Sequence, residues 1–251
     1  MKRLFKRISL GILGLLLLAI GSLVISMLNP QWFYDYTTER GNFRILHDQA
    51  FPEGVDSILN QAHLIVQKSP HYLADYPITI CMDDGSSFPR WIEKLKKGRA
   101  VSYAHIVVMQ QAFDYEKGAS DFDGHLWDLT ELYAHEITHC YQFKLAGFAT
   151  LWLPMWKIEG YAEYNSRQVV PPFSLRERYA LLLHSRQNPK QGFHWAATQN
   201  GYGSPESYLE ALVYVQYLLE EENWTYPQIL ESEIEAKSLE AKLKAWYKKS
   251  P

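Results

Sequence analysis

Residues 126–146 read LWDLTELYAHEITHCYQFKLA, and Gly147 follows. Apolar residues recur at helical spacing through this run and neither Pro nor Gly interrupts it, which predicts a helix. Asp123 or Asp128 can cap its start and Gly147 can end it. Residues four apart on a helix share a face, about one turn from each other. His135 and His139 can therefore offer two imidazoles to one metal ion, with Glu136 beside them to handle protons. The helix also marks the point where the patterning of the chain changes, so its reading divides the fold.

Before it, strands and helices alternate. Residues 41–48 (GNFRILHD) read as a strand with Phe43, Ile45 and His47 on one face. Residues 52–68 read as a helix, with Val55, Ile58, Leu59, Ala62 and Ile65 at helical spacing. Residues 78–82 are a short strand, 88–97 a short helix, and 101–110 (VSYAHIVVMQ) a further strand. After it, helices dominate: 155–168, 174–185, 205–222 and a polar amphipathic one over 232–249, with Ser232 and Glu235 as its capping box. Pro171 and Pro172 break the chain, and 187–203 reads as a polar loop. The expected fold class is α+β. A small mixed α/β lobe over 31–122 precedes a mainly helical lobe over 123–251 that carries the site.

The first thirty residues stand apart. Lys2, Arg3, Lys6 and Arg7 are followed by an uncharged run from Ile8 to Leu28. A bilayer-spanning helix needs about 20 apolar residues. Positive charge on the N-terminal side keeps that end in the cytoplasm and places the remainder beyond the membrane. A cleaved signal peptide, with Ala19-Ile20-Gly21 as a weak cut site, is the rival reading. A buried core helix is disfavoured because no face of the run is polar.

The chain carries 25 basic and 28 acidic residues. Setting aside the four N-terminal positives leaves 21 against 28, or −7, for the exported part, which argues against a nucleic-acid partner. Cys81 and Cys140 are the only cysteines, and a disulfide and two separately buried thiols are both open.

His135-Glu136-Ile137-Thr138-His139 is the HExxH pattern of zinc metallopeptidases. A catalytic zinc needs a third ligand and an open fourth position. The longer form, with a glycine and a third histidine, is excluded because Gln142 and Leu145 occupy those positions. The other solution takes a Glu from a following helix, and Glu159 lies twenty residues after His139. A turn near 147–154 would lay the second helix against the first. Glu163, one turn after Glu159, can accept the other ring N–H of a ligand His; the alternative is a solvated surface Glu.

The run His-Glu-Ile-Thr-His-Cys-Tyr-Gln at 135–142, then Glu-Gly-Tyr-Ala-Glu-Tyr at 159–164, resembles the gluzincin metallopeptidases, most closely their peptidase MA-like branch. The likeness spans most of 42–230, and its two motifs are the specific part. The resemblance implies His135, His139 and Glu159 as ligands of one Zn2+ and Glu136 as catalytic base. It also implies a strand edge, here 101–110, that aligns an extended peptide substrate. It puts a Tyr at the start of the later helix, so Tyr208 is the first candidate to steady the tetrahedral oxyanion, with His194 and His184 as rivals.

His47, His63, His71 and His105 read as structural, and His125 opens the motif helix without a spacing that demands a role. Asp121 and Asp123 lack the spaced ligands of a calcium loop. A membrane-anchored, extracytoplasmic zinc peptidase is the leading expectation. A binding or scaffold protein on a degenerate peptidase fold, and a zinc hydrolase of a non-peptide amide, are the alternatives.

Overall fold

The computed structural model describes residues 2–83, 100–110, 113–122, 124–167, 173–187, 195–197 and 203–249. The chain is mixed α/β with one N-terminal apolar helix, α1 (Lys2–Leu28). The window Gly11–Leu28 has mean hydropathy 2.5 and is not buried against the rest of the chain. By length and composition α1 can cross a membrane, and a signal sequence meets the same description.

A five-stranded sheet follows. Its strands are β1 (Tyr36–Arg40), β2 (Phe43–His47), β3 (Ile78–Asp83), β4 (Ala100–Tyr103) and β5 (Ile106–Gln110), in the order β1-β2-β3-β5-β4. β2, β3 and β5 run parallel, and β1 and β4 close the two edges antiparallel. Alternation of side chains sends Phe43, Ile45, Ile78, Ile80, Val107 and Met109 to one face. There α2 (Val55–Val66) and α3 (Leu129–Ala146) cover them. Leu46, Cys81, Val101, Ile106 and Val108 point to the other face, where Tyr34 and Met27 pack. Cys81 and Cys140 thus sit in different cores, buried and not joined in a disulfide.

Two small hairpin pairs frame the motif helix: β6 (Ala119–Phe122) with β7 (His125–Asp128), and β8 (Trp195–Ala197) with β9 (Gly203–Pro205). The second core is helical. It is built from α4 (Met155–Ser166), α5 (Leu175–Gln187), α6 (Glu206–Glu220), α7 (Tyr226–Glu231) and α8 (Ala236–Lys249). Buried positions in α6 run almost continuously from Leu209 to Leu218, so it is the central helix of this part, apolar on nearly every side.

Several sequence expectations need correction. Residues 101–110 are two strands, not one, because Ala104 takes a left-handed conformation (φ 52°) and turns the chain. A strand the sequence pattern did not reveal, β1, precedes 41–48; its Thr-Thr-Glu-Arg content is that of an exposed edge. His125 lies in β7, and Asp128 is the cap of α3, its side chain accepting from the Glu131 N–H at 2.9 Å. The polar stretch 187–203 is not all loop: it contains β8. The last helix begins at Ala236; Ser232 ends α7, and the capping box is Thr225 with Gln228. The expected helix at 88–97, the Asp123 cap, the break at Pro171-Pro172 and His194 lie outside the described residues.

One glycine fixes how closely α4 meets α6. A Cβ on Gly160 would stand 2.8 Å from Val215 Cγ2 and well inside contact distance of the Ala211 carbonyl. Only a residue without a side chain lets these backbones approach. Gly160→Ala is expected to cost about 1–3 kcal/mol through overpacking. Chemical denaturation checks this, and an unchanged midpoint would contradict the close approach.

Candidate metal centre

Packing of α4 against α3 carries three donors to one place. His135 and His139 stand one turn apart, their Nε2 atoms separated by 3.0 Å. Glu159 Oε2 lies 3.2 Å from His135 Nε2 and 3.5 Å from His139 Nε2. The donor atoms of His135, His139 and Glu159 all fall within 4.8 Å of one another, and this group can hold a metal ion. It is the one such group among the described residues.

The electrostatics suit a cation. Burial works against a charged His135 ring, yet Glu159 and Glu163 outweigh it and push its pKa up to about 10. Burial also works against the Glu159 carboxylate, and the charge of His139 with hydrogen bonds from both rings holds it far below the usual range. The two carboxylates thus favour positive charge at the centre of the site.

A buried second layer sets the rings. His135 Nδ1 faces Glu163 Oε1 at 3.1 Å. This is an ion-pair distance whose angle falls outside hydrogen-bond geometry, so neither atom has a formal hydrogen-bond partner. Glu163 is fully buried, which removes the surface reading. Arg167 Nε donates to Glu163 Oε2 at 2.5 Å, and Arg167 Nη1 donates to Glu131 Oε2 at 3.0 Å. Burial alone would raise the Glu163 carboxyl; Arg167 and His135 together hold it down at about 2. Arg178 Nη2 donates to the Arg167 carbonyl at 3.0 Å and ties the network to α5.

His139 is held separately. Its Nδ1 lies 2.6 Å from Gln142 Oε1. Gln142 Nε2 donates to the Ile158 carbonyl and to the Tyr226 hydroxyl, each at 2.8 Å. Those two acceptors fix which way the amide points, so Oε1 accepts from Nδ1–H and Nε2 is the ring nitrogen turned toward Glu159. Tyr226 is in turn stacked on Tyr161 with ring centroids 3.7 Å apart.

Glu136 points to the other side of the helix face, toward the sheet edge. Ser102 Oγ on β4 lies 2.5 Å from Glu136 Oε2 and 2.9 Å from the Glu136 carbonyl oxygen. Tyr208, in the first turn of α6, lies nearly parallel to the His135 ring at 5.8 Å, with Trp127 edge-on to both. Burial and then the nearby Glu159 charge push its phenol well above the ordinary value. His184 sits in the last turn of α5, outside the His135, His139 and Glu159 group.

The structure thus brings His135, His139, Glu159, Glu163 and Tyr208 together, with Glu136 next to His135 in the chain and held by Ser102 at the sheet edge. Sequence reasoning missed the supporting roles of Gln142, Glu131, Arg167 and Ser102. Three of these carried a signal: Gln142 is three residues after His139, Glu131 four before His135, and Arg167 four after Glu163, all helix-face spacings. Ser102 carried none, because its contact depends on how the sheet edge meets α3. No protein-family profile matches the chain, and no curated protein matches it, so the site stands on its own geometry.

Gln142→Leu removes the acceptor for His139 Nδ1–H while keeping similar bulk. Affinity for divalent metal is expected to fall about 10–100-fold, the usual effect of losing such a support. Titration against a competing chromophoric chelator measures it, and an unchanged affinity would remove Gln142 from the site.

Proposed function

We propose that this chain is a zinc-dependent metallopeptidase of the gluzincin kind, peptidase MA-like. Its N-terminal helix holds it to a membrane, and its catalytic part lies outside the cytoplasm. The carrying observation is the spacing of the three donors. Ligands about 2.0–2.1 Å from a tetrahedral zinc stand roughly 3.3–3.4 Å apart. The separations here are 3.0, 3.2 and 3.5 Å, from two imidazoles and a carboxylate on two helices. That donor set fits zinc better than calcium or magnesium, which take oxygen ligands.

Zinc held by His135, His139 and Glu159 would polarise a scissile carbonyl and acidify a water. Glu136 has the position of the general base: one residue from a ligand, with Oε2 fixed by Ser102, it takes the water's proton and returns it to the leaving amine. Tyr208 keeps its phenolic proton and offers it to the developing oxyanion. Ser102 belongs to β4, the edge of the sheet among the described residues, so a peptide in extended form can pair along that edge beside Glu136. Arg167 and Glu163 keep His135 oriented throughout, and Gln142 does the same for His139.

The membrane part of the reading rests on α1 and its flanking charges. Lys2, Arg3, Lys6 and Arg7 before an apolar span favour a cytoplasmic N-terminus.

Glu136→Gln is expected to keep zinc and lose about 10²–10⁴-fold in peptide cleavage. Tyr208→Phe is expected to lower kcat by about 10²-fold with little change in KM, the mark of a group acting in the transition state. The checks are metal analysis and turnover of a peptide library by the full chain. Undiminished cleavage by Glu136→Gln, or a wild-type chain without zinc, would overturn the reading.

A further inference from the structure

The connection between the two ligand-bearing helices is apolar and faces outward. From Leu145 to Trp156 the sequence is LAGFATLWLPMW, twelve residues without a charge, bounded by Lys144 and Lys157. Five of its large side chains are exposed: Leu145, Phe148, Leu151, Trp152 and Met155, with Trp152 at 86% and Phe148 at 74%. Single exposed apolar residues are ordinary on a protein surface, but a contiguous set marks a contact surface.

The segment is held in this display by its own bonds. Gly147 ends α3 with φ 58°, and a short 3-10 helix follows (Gly147–Leu151). Thr150 Oγ1 donates to the Gly147 carbonyl at 2.8 Å, and the Trp152 N–H donates to the Ala149 carbonyl at 3.0 Å. Phe148 meets Phe143 edge-on at 5.4 Å. Leu145, Phe148, Leu151, Trp152 and Met155 belong to neither core.

Its place in the fold says what covers it. The Tyr103 hydroxyl donates to the Met27 carbonyl at 3.1 Å, which fixes the end of α1 beside the β4–β5 turn. That turn lies at the end of the sheet where β2, β3 and β5 begin, since Tyr103 pairs with Ile106, Ile106 with Thr79, and Ile78 with Phe43. The C-terminal end of α3 is at the same end: Lys144 Nζ lies 5.8 Å from the ring of Tyr76, two residues before β3. The end of α1 and the apolar connection therefore lie at one end of the sheet.

We infer that residues 145–155 are a second membrane contact, seated in the headgroup and upper acyl region of the bilayer that α1 enters. Trp and Phe at the boundary and an exposed Lys beside them suit an interface with anionic phospholipid. Because the connection joins α3 to α4, it would hold His139 only about seven helical residues, roughly 10 Å, from the lipid boundary. The substrates so favoured are polypeptide segments close to a membrane surface. The location rests on α1 meeting a bilayer and is independent of the peptidase reading.

The test uses the full chain in vesicles of phosphatidylcholine and phosphatidylglycerol. Phe148→Cys and Trp152→Cys are labelled with an environment-sensitive dye, with Glu53→Cys, exposed between the end of β2 and the start of α2 at the opposite end of the sheet, as control; the native cysteines are buried. Flotation of the unlabelled chain with the vesicles is read first, and a chain that stays behind overturns both the anchor and the second contact. In the floated chain, nitroxide-bearing acyl chains are expected to quench positions 148 and 152 at least about threefold more than position 53. Equal quenching at all three positions overturns the inference. Labels shielded from aqueous iodide yet untouched by the lipid quencher overturn it too, in favour of a second copy or a protein partner. Zinc content, read in parallel, keeps any failure of the peptidase reading separate.

Discussion

The site depends on how closely α4 can lie against its neighbours. His135 and His139 come as a pair from one helix, and any helix with that spacing would present them. The third donor is different: Glu159 reaches them only because α4 is pressed between α3 and α6. Gly160, next in sequence, permits the approach to the Ala211 carbonyl on α6. A methyl group there would push α4 toward α3 or apart from α6, and either shift moves the Glu159 carboxylate.

A buried chain of charge sits in the same contact. Glu131 and His135 belong to α3, Glu163 lies on α4, and Arg167 ends that helix, so the ion pairs span the interface that carries Glu159. Removing one partner from such a network leaves an uncompensated charge, at a cost of about 3–5 kcal/mol. An apolar interface of equal volume would be as stable. What the charged one adds is orientation, since His135 Nδ1 faces Glu163 Oε1 with Nε2 turned toward Glu159. Arg167 serves the site without touching it.

The sequence made the ligands legible because their spacing is set by one helix and their chemistry by residue type. It made Glu163 legible for the same reason, and the burial of Glu163 removes its competing reading as surface charge. What lay hidden depends on tertiary placement. The β4–β5 turn is made by Ala104 in a left-handed conformation, with neither Gly nor Pro to announce it, and so the pattern is that of one strand where two occur. β1 is too polar to look like a strand, and β8 and β9 are too short for periodicity to register. Ser102 became part of the site only when β4 proved to be the edge beside α3. Gln142 was visible as the residue that excludes a longer metal motif, and its bonds to Ile158 and Tyr226 are what reveal it as a brace.

Zinc K-edge absorption of the full, zinc-loaded chain addresses the central claim most directly. The account predicts nitrogen and oxygen scatterers alone at about 2.0–2.2 Å, with the outer-shell pattern of two imidazoles. A sulfur scatterer at about 2.3 Å, which would require Cys81 or Cys140, or a chain that binds no zinc, would contradict it.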